Sequence, residues 1–302
     1  MKKIQALFAL SRPPFHTVGV LPFVLGTILA YYQESLFSWA ILIWGIVGVV
    51  LIMLATYYAG EYWDFREDEL SARTYPSKFA GGSRVIQRGI LPRHFARNAS
   101  FFCLILALGV GIILQFVYHT GPFTLPLGIV GILGGFFYSA RPVRWVSTGF
   151  GEVWIAFCYG WLPIAAAYYL QTGYISSLVH WLAIPVGLSI FNVILLNEFP
   201  DYEADQETDK KNILVRGGAK KASHIYTYVS STSWVFYIVS LYRGVPKHAI
   251  WFYMPIFFIS IILVVMVLAE RWQNRLILEK LCGVNILVNL GTTASFILAF
   301  VV

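Results

Sequence analysis

The sequence predicts an all-α, polytopic membrane protein of about nine transmembrane helices with a cytoplasmic N-terminus. Three observations carry this expectation: a composition far from that of soluble domains, apolar runs recurring along the whole chain, and basic residues gathered in alternate loops. Of 302 residues, 58% are hydrophobic and 12% charged, whereas soluble domains carry about 25% charged residues. The main solvent of such a chain is lipid.

An apolar helix needs roughly 17 to 25 residues to cross about 30 Å of hydrocarbon. Nine runs approach that length. The first two, 15–32 and 36–58, lead into a long polar loop; 100–118 and 125–138 follow, closed by the polar stretch 139–149. Runs 150–170 and 178–196 lead into a second long polar loop, and 226–242, 249–269 and 281–302 complete the series. These runs use up most of the chain, so no separate soluble domain fits. One domain over 1–302 is expected, with pseudo-repeated halves of about 1–140 and 141–302.

The net charge of +7 would suit a nucleic-acid partner, but its distribution points to topology instead. With the chain starting inside, segments 1–14, 59–99, 139–149, 197–225 and 270–280 face inward and hold 20 of the 22 Lys and Arg. Only Arg243 and Lys247 face outward. That bias sets orientation by the positive-inside rule. It predicts a multi-pass cell-membrane protein with both long loops cytoplasmic and no nucleic-acid partner. Lys2 and Lys3 resemble a signal-peptide n-region, yet Arg12, Pro13 and Pro14 interrupt any apolar core and no clear cleavage site follows, so no cleaved signal is read. Cys103, Cys158 and Cys282 stand singly in apolar runs, without disulfide or metal-ligand spacing, and read as core residues.

The two long loops repeat one octapeptide pattern: Glu61-Tyr62-Trp63-Asp64-Phe65-Arg66-Glu67-Asp68 and Glu198-Phe199-Pro200-Asp201-Tyr202-Glu203-Ala204-Asp205. Each continues directly from an apolar run, and a helix carried through it would put both aspartates on one face. Each is followed by a Gly-Gly pair near a basic residue, Gly81-Gly82 with Arg84 and Gly217-Gly218 with Arg216. Eleven of the 15 acidic residues lie in these two loops. Carboxylates crowded at a membrane boundary repel one another and are poorly hydrated, so they need a counter-charge. An all-oxygen donor set favours Mg2+, which takes one or two carboxylates and accepts phosphate oxygens. Two such ions on opposing helices could neutralise a diphosphate leaving group. The plainer reading is that both loops are solvated and pair their charges internally; the matched flanks weigh against it.

At these residues the sequence resembles the UbiA superfamily of intramembrane aromatic prenyltransferases, over nearly the whole chain. The superfamily's NxxxDxxxD signature is met by Gly60, Asp64 and Asp68, and its DxxxD signature by Asp201 and Asp205 with Asn197 ahead. The naphthoate-directed, menaquinone-forming MenA-like branch is the most similar. Residues 197–205 resemble its second loop and 81–89 its first; Phe137-Tyr138-Ser139 and Gly149-Phe150-Gly151-Glu152 resemble its Tyr-Ser segment and Gly-x-Gly-Glu. Three departures stand out. Gly60 replaces the usual Asn and Glu61 the following Asp; Asp209 precedes Lys210 where Gly-Lys is common; Asn212 holds a usual Thr position.

The resemblance implies a helical bundle around a central cavity. It also implies Mg2+-assisted transfer of an isoprenyl chain from an allylic isoprenyl diphosphate to an aromatic acceptor, here 1,4-dihydroxy-2-naphthoate in menaquinone biosynthesis. Membrane lipid is the remaining partner. Asp64, Asp68, Asp201 and Asp205 would bind two Mg2+, with Glu61, Glu198 and Asn197 as second-rank candidates. Tyr138 matches an active-site tyrosine, and Arg84, Arg88 and Lys210 match diphosphate-binding positions. Arg141 or Arg144 would supply the charge that follows the tyrosine; spacing leaves the choice open. Glu152 would position a basic group or help the acceptor.

Each residue also has a structural reading: positive-inside anchor for the bases, interfacial belt for Tyr138, a salt bridge to a loop arginine for Glu152. Gly128, Gly131, Gly134 and Gly135 suit close helix packing better than a phosphate loop. Asn285 and Asn289 suit bonds to a neighbouring helix, and His16 a structural role. Competing readings are a CDP-alcohol phosphotransferase, whose Asp-Gly-x-x-Ala-Arg start is missing, and a carboxylate-based cation or metabolite transporter, whose sites usually lie near the midplane. Within the superfamily the alternative acceptors are 4-hydroxybenzoate, a glycerol phosphate ether lipid, haem and a chlorophyll precursor.

Overall fold

The structure is a computed structural model that describes residues 3–208 and 210–302. Lys2 and Asp209, both discussed above, lie outside the described residues. Among the described residues the chain is helical, without strands. A short helix α1 (Lys3–Ser11) precedes α2 (Pro13–Glu34), and α3 (Trp39–Trp63) runs almost directly into α4 (Phe65–Thr74). Next come α5 (Arg93–Ile112), ending in a π turn at Ile113–Val117, and α6 (Thr124–Ser139). Then α7 (Gly151–Ala156) passes through a second π turn, Phe157–Trp161, into α8 (Leu162–Thr172). The chain closes with α9 (Ser177–Asn197), α10 (Tyr202–Glu207), α11 (Ile213–Gly217), α12 (Ala219–Tyr242), α13 (Ala249–Leu268) and α14 (Arg275–Val301).

Seven stretches are long and apolar enough to cross a membrane, where nine were expected. The other two are helices that fall short in different ways. α6 has only 16 residues. α12 has 24 but begins with Lys220 and Lys221 and carries Ser230, Ser231, Thr232 and Ser233 at its middle. Those hydroxyls are not wasted: Ser233 donates to the Pro185 carbonyl (3.1 Å) and Ser230 accepts from Asn192 (2.8 Å), tying α12 to α9. Asn285 donates to the Asn192 carbonyl and Asn289 to Ser189, so both asparagines bond a neighbouring helix, as expected.

Small residues set the packing. Gly160 lies against the backbone of Gly187, and a Cβ at Gly26 would meet the Ile164 carbonyl, so helices approach there to near backbone contact. α2 packs on both α8 and α14, which locks the first half of the chain to the second.

The polar loops meet at one end. The Tyr75 hydroxyl donates to the Arg275 carbonyl (2.6 Å), the Lys78 N–H to Glu279 (3.4 Å), and Lys220 pairs with Glu270 (3.6 Å). The opposite end is closed by other contacts, Gln171 with the Ser38 backbone and Arg243 over Trp181. With Ser139 and Arg144 both on Asp64, segments 59–99, 139–149, 197–225 and 270–280 share one end of the bundle.

Candidate functional site

The first acidic cluster is built by a helix that bends without breaking its ladder. The Asp64 N–H donates to the Gly60 carbonyl (2.8 Å) and the Asp68 N–H to the Asp64 carbonyl (2.9 Å), so helical spacing carries across the α3–α4 junction. The second cluster repeats the device after α9, with the Asp205 N–H on the Asp201 carbonyl (2.8 Å). Both ends point into one cavity of about 230 Å3, lined by all four aspartates.

The Gly81-Gly82 pair closes the loop over these carboxylates. Both glycines have left-handed backbone, φ 69° and 63°. The Gly81 N–H donates to Asp201 (3.1 Å), whose other oxygen accepts from Ser71. A Cβ at Gly82 would collide with the Asp68 carboxylate. The second pair has no such part, because a Cβ at Gly218 meets nothing and Arg216 turns back to the Lys211 carbonyl. The echo between the halves stops at the carboxylates.

Asp64 accepts from Ser139 and pairs with Arg144 (3.4 Å), which also binds Glu67. Arg141 is exposed, so of the two arginines left open by spacing it is Arg144 that reaches the acids. Asp205 pairs with Lys210 (3.2 Å) and accepts from Asn212 (2.8 Å). Glu61, Tyr138, Asn197, Glu198 and Lys210 line the same cavity. Arg84 does not: it donates to the Ser77 carbonyl (2.7 Å), and Arg88 is exposed. Glu152 is buried with an oxygen on the Ile213 N–H (2.6 Å), not on a loop arginine. Sequence reasoning missed Arg12, Tyr57 and Tyr159 in the cavity wall. Arg12 was readable as a charge at the mouth of a span on the acidic side; the tyrosines gave no signal among 18.

Electrostatically the cavity is unbalanced. Six acids line it against two bases, Arg12 and Lys210. Burial raises the carboxyls of Asp64 and Asp201 above the usual range. Burial, reinforced by Glu61 and Asp64, raises Asp68 well above it. Burial pushes Asp205 up to about 7 despite Lys210. Glu198 is raised well above its usual range by burial and then by Glu152. Burial alone would lower the Lys210 ammonium, but Asp205, Asp64 and Asp201 together hold it well above its usual value.

Glu61 Oε2 and Asn197 Oδ1 are buried oxygens without a donor among the described residues. The donor set is all oxygen, which fits a hard divalent cation. Among the described residues no three acids, His or Cys converge to enclose an ion alone. Each cation would thus take one or two carboxylates and leave positions for ligand oxygens and water, the coordination Mg2+ prefers.

Fold and site together define an intramembrane helical bundle with an acid-rich cavity at one end. The chain belongs to the UbiA prenyltransferase family, whose model matches residues 20–280. Its curated relatives include the 1,4-dihydroxy-2-naphthoate octaprenyltransferase of Bacillus subtilis, 23% identical over 98% of this chain and 91% of that protein. The Escherichia coli enzyme of the same name is 23% identical over 83% and 80%. Among solved structures, the apo UbiA homologue from Aeropyrum pernix superposes with a TM-score of 0.69 at 17% identity, covering 94% of this chain and 97% of that one. The Archaeoglobus fulgidus homologue bound to GPP and Mg2+ gives 0.65 at 13%, covering 98% and 100%.

Proposed function

We propose that this chain transfers an isoprenyl group from an allylic isoprenyl diphosphate to an aromatic acceptor, 1,4-dihydroxy-2-naphthoate, with Mg2+ bound at the cytoplasmic end of the bundle. The observation that carries the reading is the convergence of Asp64, Asp68, Asp201 and Asp205 on one cavity with an uncompensated excess of acid. The naphthoate acceptor is supported by relatives of that name, and the diphosphate and Mg2+ by the ligands of the Archaeoglobus homologue.

Asp64 and Asp68 from one helix end, and Asp201 and Asp205 from the other, would hold two ions. Bound there, Mg2+ would neutralise negative charge on the departing diphosphate. Arg12 and Lys210 bring fixed positive charge to the same wall and suit phosphate oxygens. Ser71, Gly81 and Asn212 orient Asp201 and Asp205 by hydrogen bonds. Tyr57, Tyr138 and Tyr159 present ring faces to a carbon that gains positive charge as its bond to oxygen lengthens. The apolar wall formed by Val18, Ile155 and Ile190 keeps competing water from that carbon.

Purified protein incubated with Mg2+, allylic diphosphates and a panel of acceptors should yield prenylated naphthoate and free diphosphate. Turnover that persists without divalent metal, or in Asp64→Ala or Asp201→Ala, would sink the mechanism. Prenylation of 4-hydroxybenzoate in place of naphthoate would sink the acceptor. Ion flux in proteoliposomes without diphosphate chemistry would favour a transporter.

A further inference from the structure

The left-handed turn at Arg12 (φ 48°) ends α1 and re-aims the chain before α2, so Lys3–Ser11 forms a helix of its own beside the acid-lined cavity. Ala6 and Leu10, one turn apart and both buried, seat it in a cluster with Val85, Ile86 and Ala96. Its opposite side is apolar as well. Ile4 and Phe8, again one turn apart, are 80% and 67% exposed, with Leu7 on the flank at 41%. A helix apolar on both sides is stable between protein and hydrocarbon, whereas in water its outer side would stay unburied.

Charge around this helix has one sign. Lys3 opens α1, and segment 85–97 brings Arg88, Arg93 and Arg97 without an acid. Arg93 and Arg97 stack on the Tyr62 ring, 4.7 and 5.6 Å from its centre, and Tyr62 packs against the α1 cluster. Among the described residues the ion pairs belong to Arg73, Arg144, Lys210 and Lys220, so Lys3, Arg88, Arg93 and Arg97 have no carboxylate partner there. An apolar helix face rimmed by bases complements an anionic lipid surface, with acyl chains against the face and phosphates against the rim.

We propose that α1 and its basic rim dock on an anionic lipid leaflet, and that this docking holds Arg12 and the loop after α4 in place over the acid-lined cavity. The proposal deepens the prenyl-transfer reading above and rests on it. Two links connect α1 to the site. The Arg12 N–H donates to the Ala9 carbonyl (3.2 Å), so the last turn of α1 fixes the backbone of a cavity residue. Val85 and Ile86, packed with α1, follow soon after the Gly81-Gly82 pair, whose Gly81 N–H reaches Asp201 (3.1 Å). Lifting α1 frees both Arg12 and that loop. A neutral leaflet accepts the apolar face but leaves the bases uncompensated, so anionic lipid shifts α1 toward the docked state.

The test reconstitutes the purified protein in phosphatidylcholine vesicles with increasing phosphatidylglycerol and measures two quantities. The first is KM for an allylic diphosphate with Mg2+. The second is quenching, by doxyl-labelled lipid, of a bimane on Leu7→Cys in a background with Cys103, Cys158 and Cys282 replaced. Phosphatidylglycerol should deepen the quenching, and high salt, which screens the bases, should erase that response. It should also lower KM relative to the Lys3→Gln/Arg97→Gln and Ile4→Ser/Phe8→Ser variants by at least about fivefold, the contribution of one base near an anionic surface. The variants control for repulsion between vesicle and diphosphate, and a kcat equal to wild type in phosphatidylcholine shows that they fold. Quenching that ignores phosphatidylglycerol or salt overturns the docking. Quenching that responds while KM stays level with the variants overturns the link to the site. Both results leave prenyl transfer standing. If wild type turns over no allylic diphosphate, prenyl transfer fails instead, and quenching judges the docking by itself.

Discussion

Arg12 sits alone between α1 and α2 with a left-handed backbone (φ 48°), ahead of the two prolines that start α2, and that turn presents its side chain to the acids. A charge-assisted bond to phosphate is worth about 1.5 to 3 kcal/mol. Arg12→Ala should accordingly raise KM for the diphosphate by about tenfold or more, with Arg12→Lys recovering part of it. An unchanged KM would remove Arg12 from the site. Arg144 and Arg141 make the opposite comparison. Removing Arg144 leaves Asp64 and Glu67 facing each other with only 12% and 10% of their side chains exposed, a loss of about 3 kcal/mol. Arg144→Ala should melt well below wild type in detergent and Arg141→Ala should not. Asp205 sets a pH dependence. Its folded value of about 7 lies above its ordinary 3.8, so its contribution to stability is complete below pH 3.8 and disappears as pH rises through about 7. Metal-free protein should lose thermal stability over that window. Mg2+ needs the deprotonated carboxylate, so added Mg2+ should protect more at pH 8 than at pH 5.

At the scale of elements, the α3–α4 bend decides the first acidic motif. Gly60 stands where the family carries Asn, and a Cβ there would lie 3.7 Å from Ser139 Oγ and 3.9 Å from Asp64 Oδ2, ordinary contact distances. Gly60→Asn should therefore fold normally and add an oxygen beside Asp64. The expected result is a lower Mg2+ concentration for half-maximal activity; a higher one would show that glycine is required. The loop after α4 is less forgiving, because Gly82 combines φ 63° with contact to Asp68. Periodicity located both helix ends, since acids cluster where apolar runs stop. It could not show that one Gly-Gly pair covers the carboxylates and the other does not. That difference depends on which carboxylate approaches the loop across the bundle.

At the scale of the molecule, the loops carrying most of the basic residues share one end of the bundle. If that end is cytoplasmic, Lys247→Cys in a background with Cys103, Cys158 and Cys282 replaced should react with an impermeant maleimide added to intact cells. Arg88→Cys should react only after lysis. The reverse pattern would invert the orientation. Apolar run length alone overstated one span. α12 looked apolar enough from 226 onward, yet its serines and lysines lower its hydropathy, and hydrogen bonds to α9 accommodate them.

By itself the sequence determined that the chain is helical and lipid-embedded, that two acidic clusters follow apolar helices, and that the UbiA motifs lie at 60–68 and 197–205. The first two follow from composition and local period, which neighbours along the chain suffice to express, and the motifs follow from resemblance to the family. Only the tertiary structure decided that Arg144 and not Arg141 meets Asp64, that Arg84 turns to a backbone carbonyl, and that Arg12 joins the cavity. Each of these depends on which side chains face one another across α2, α3, α6, α8 and α9, a matter of helix rotation and approach over separations that local pattern does not encode.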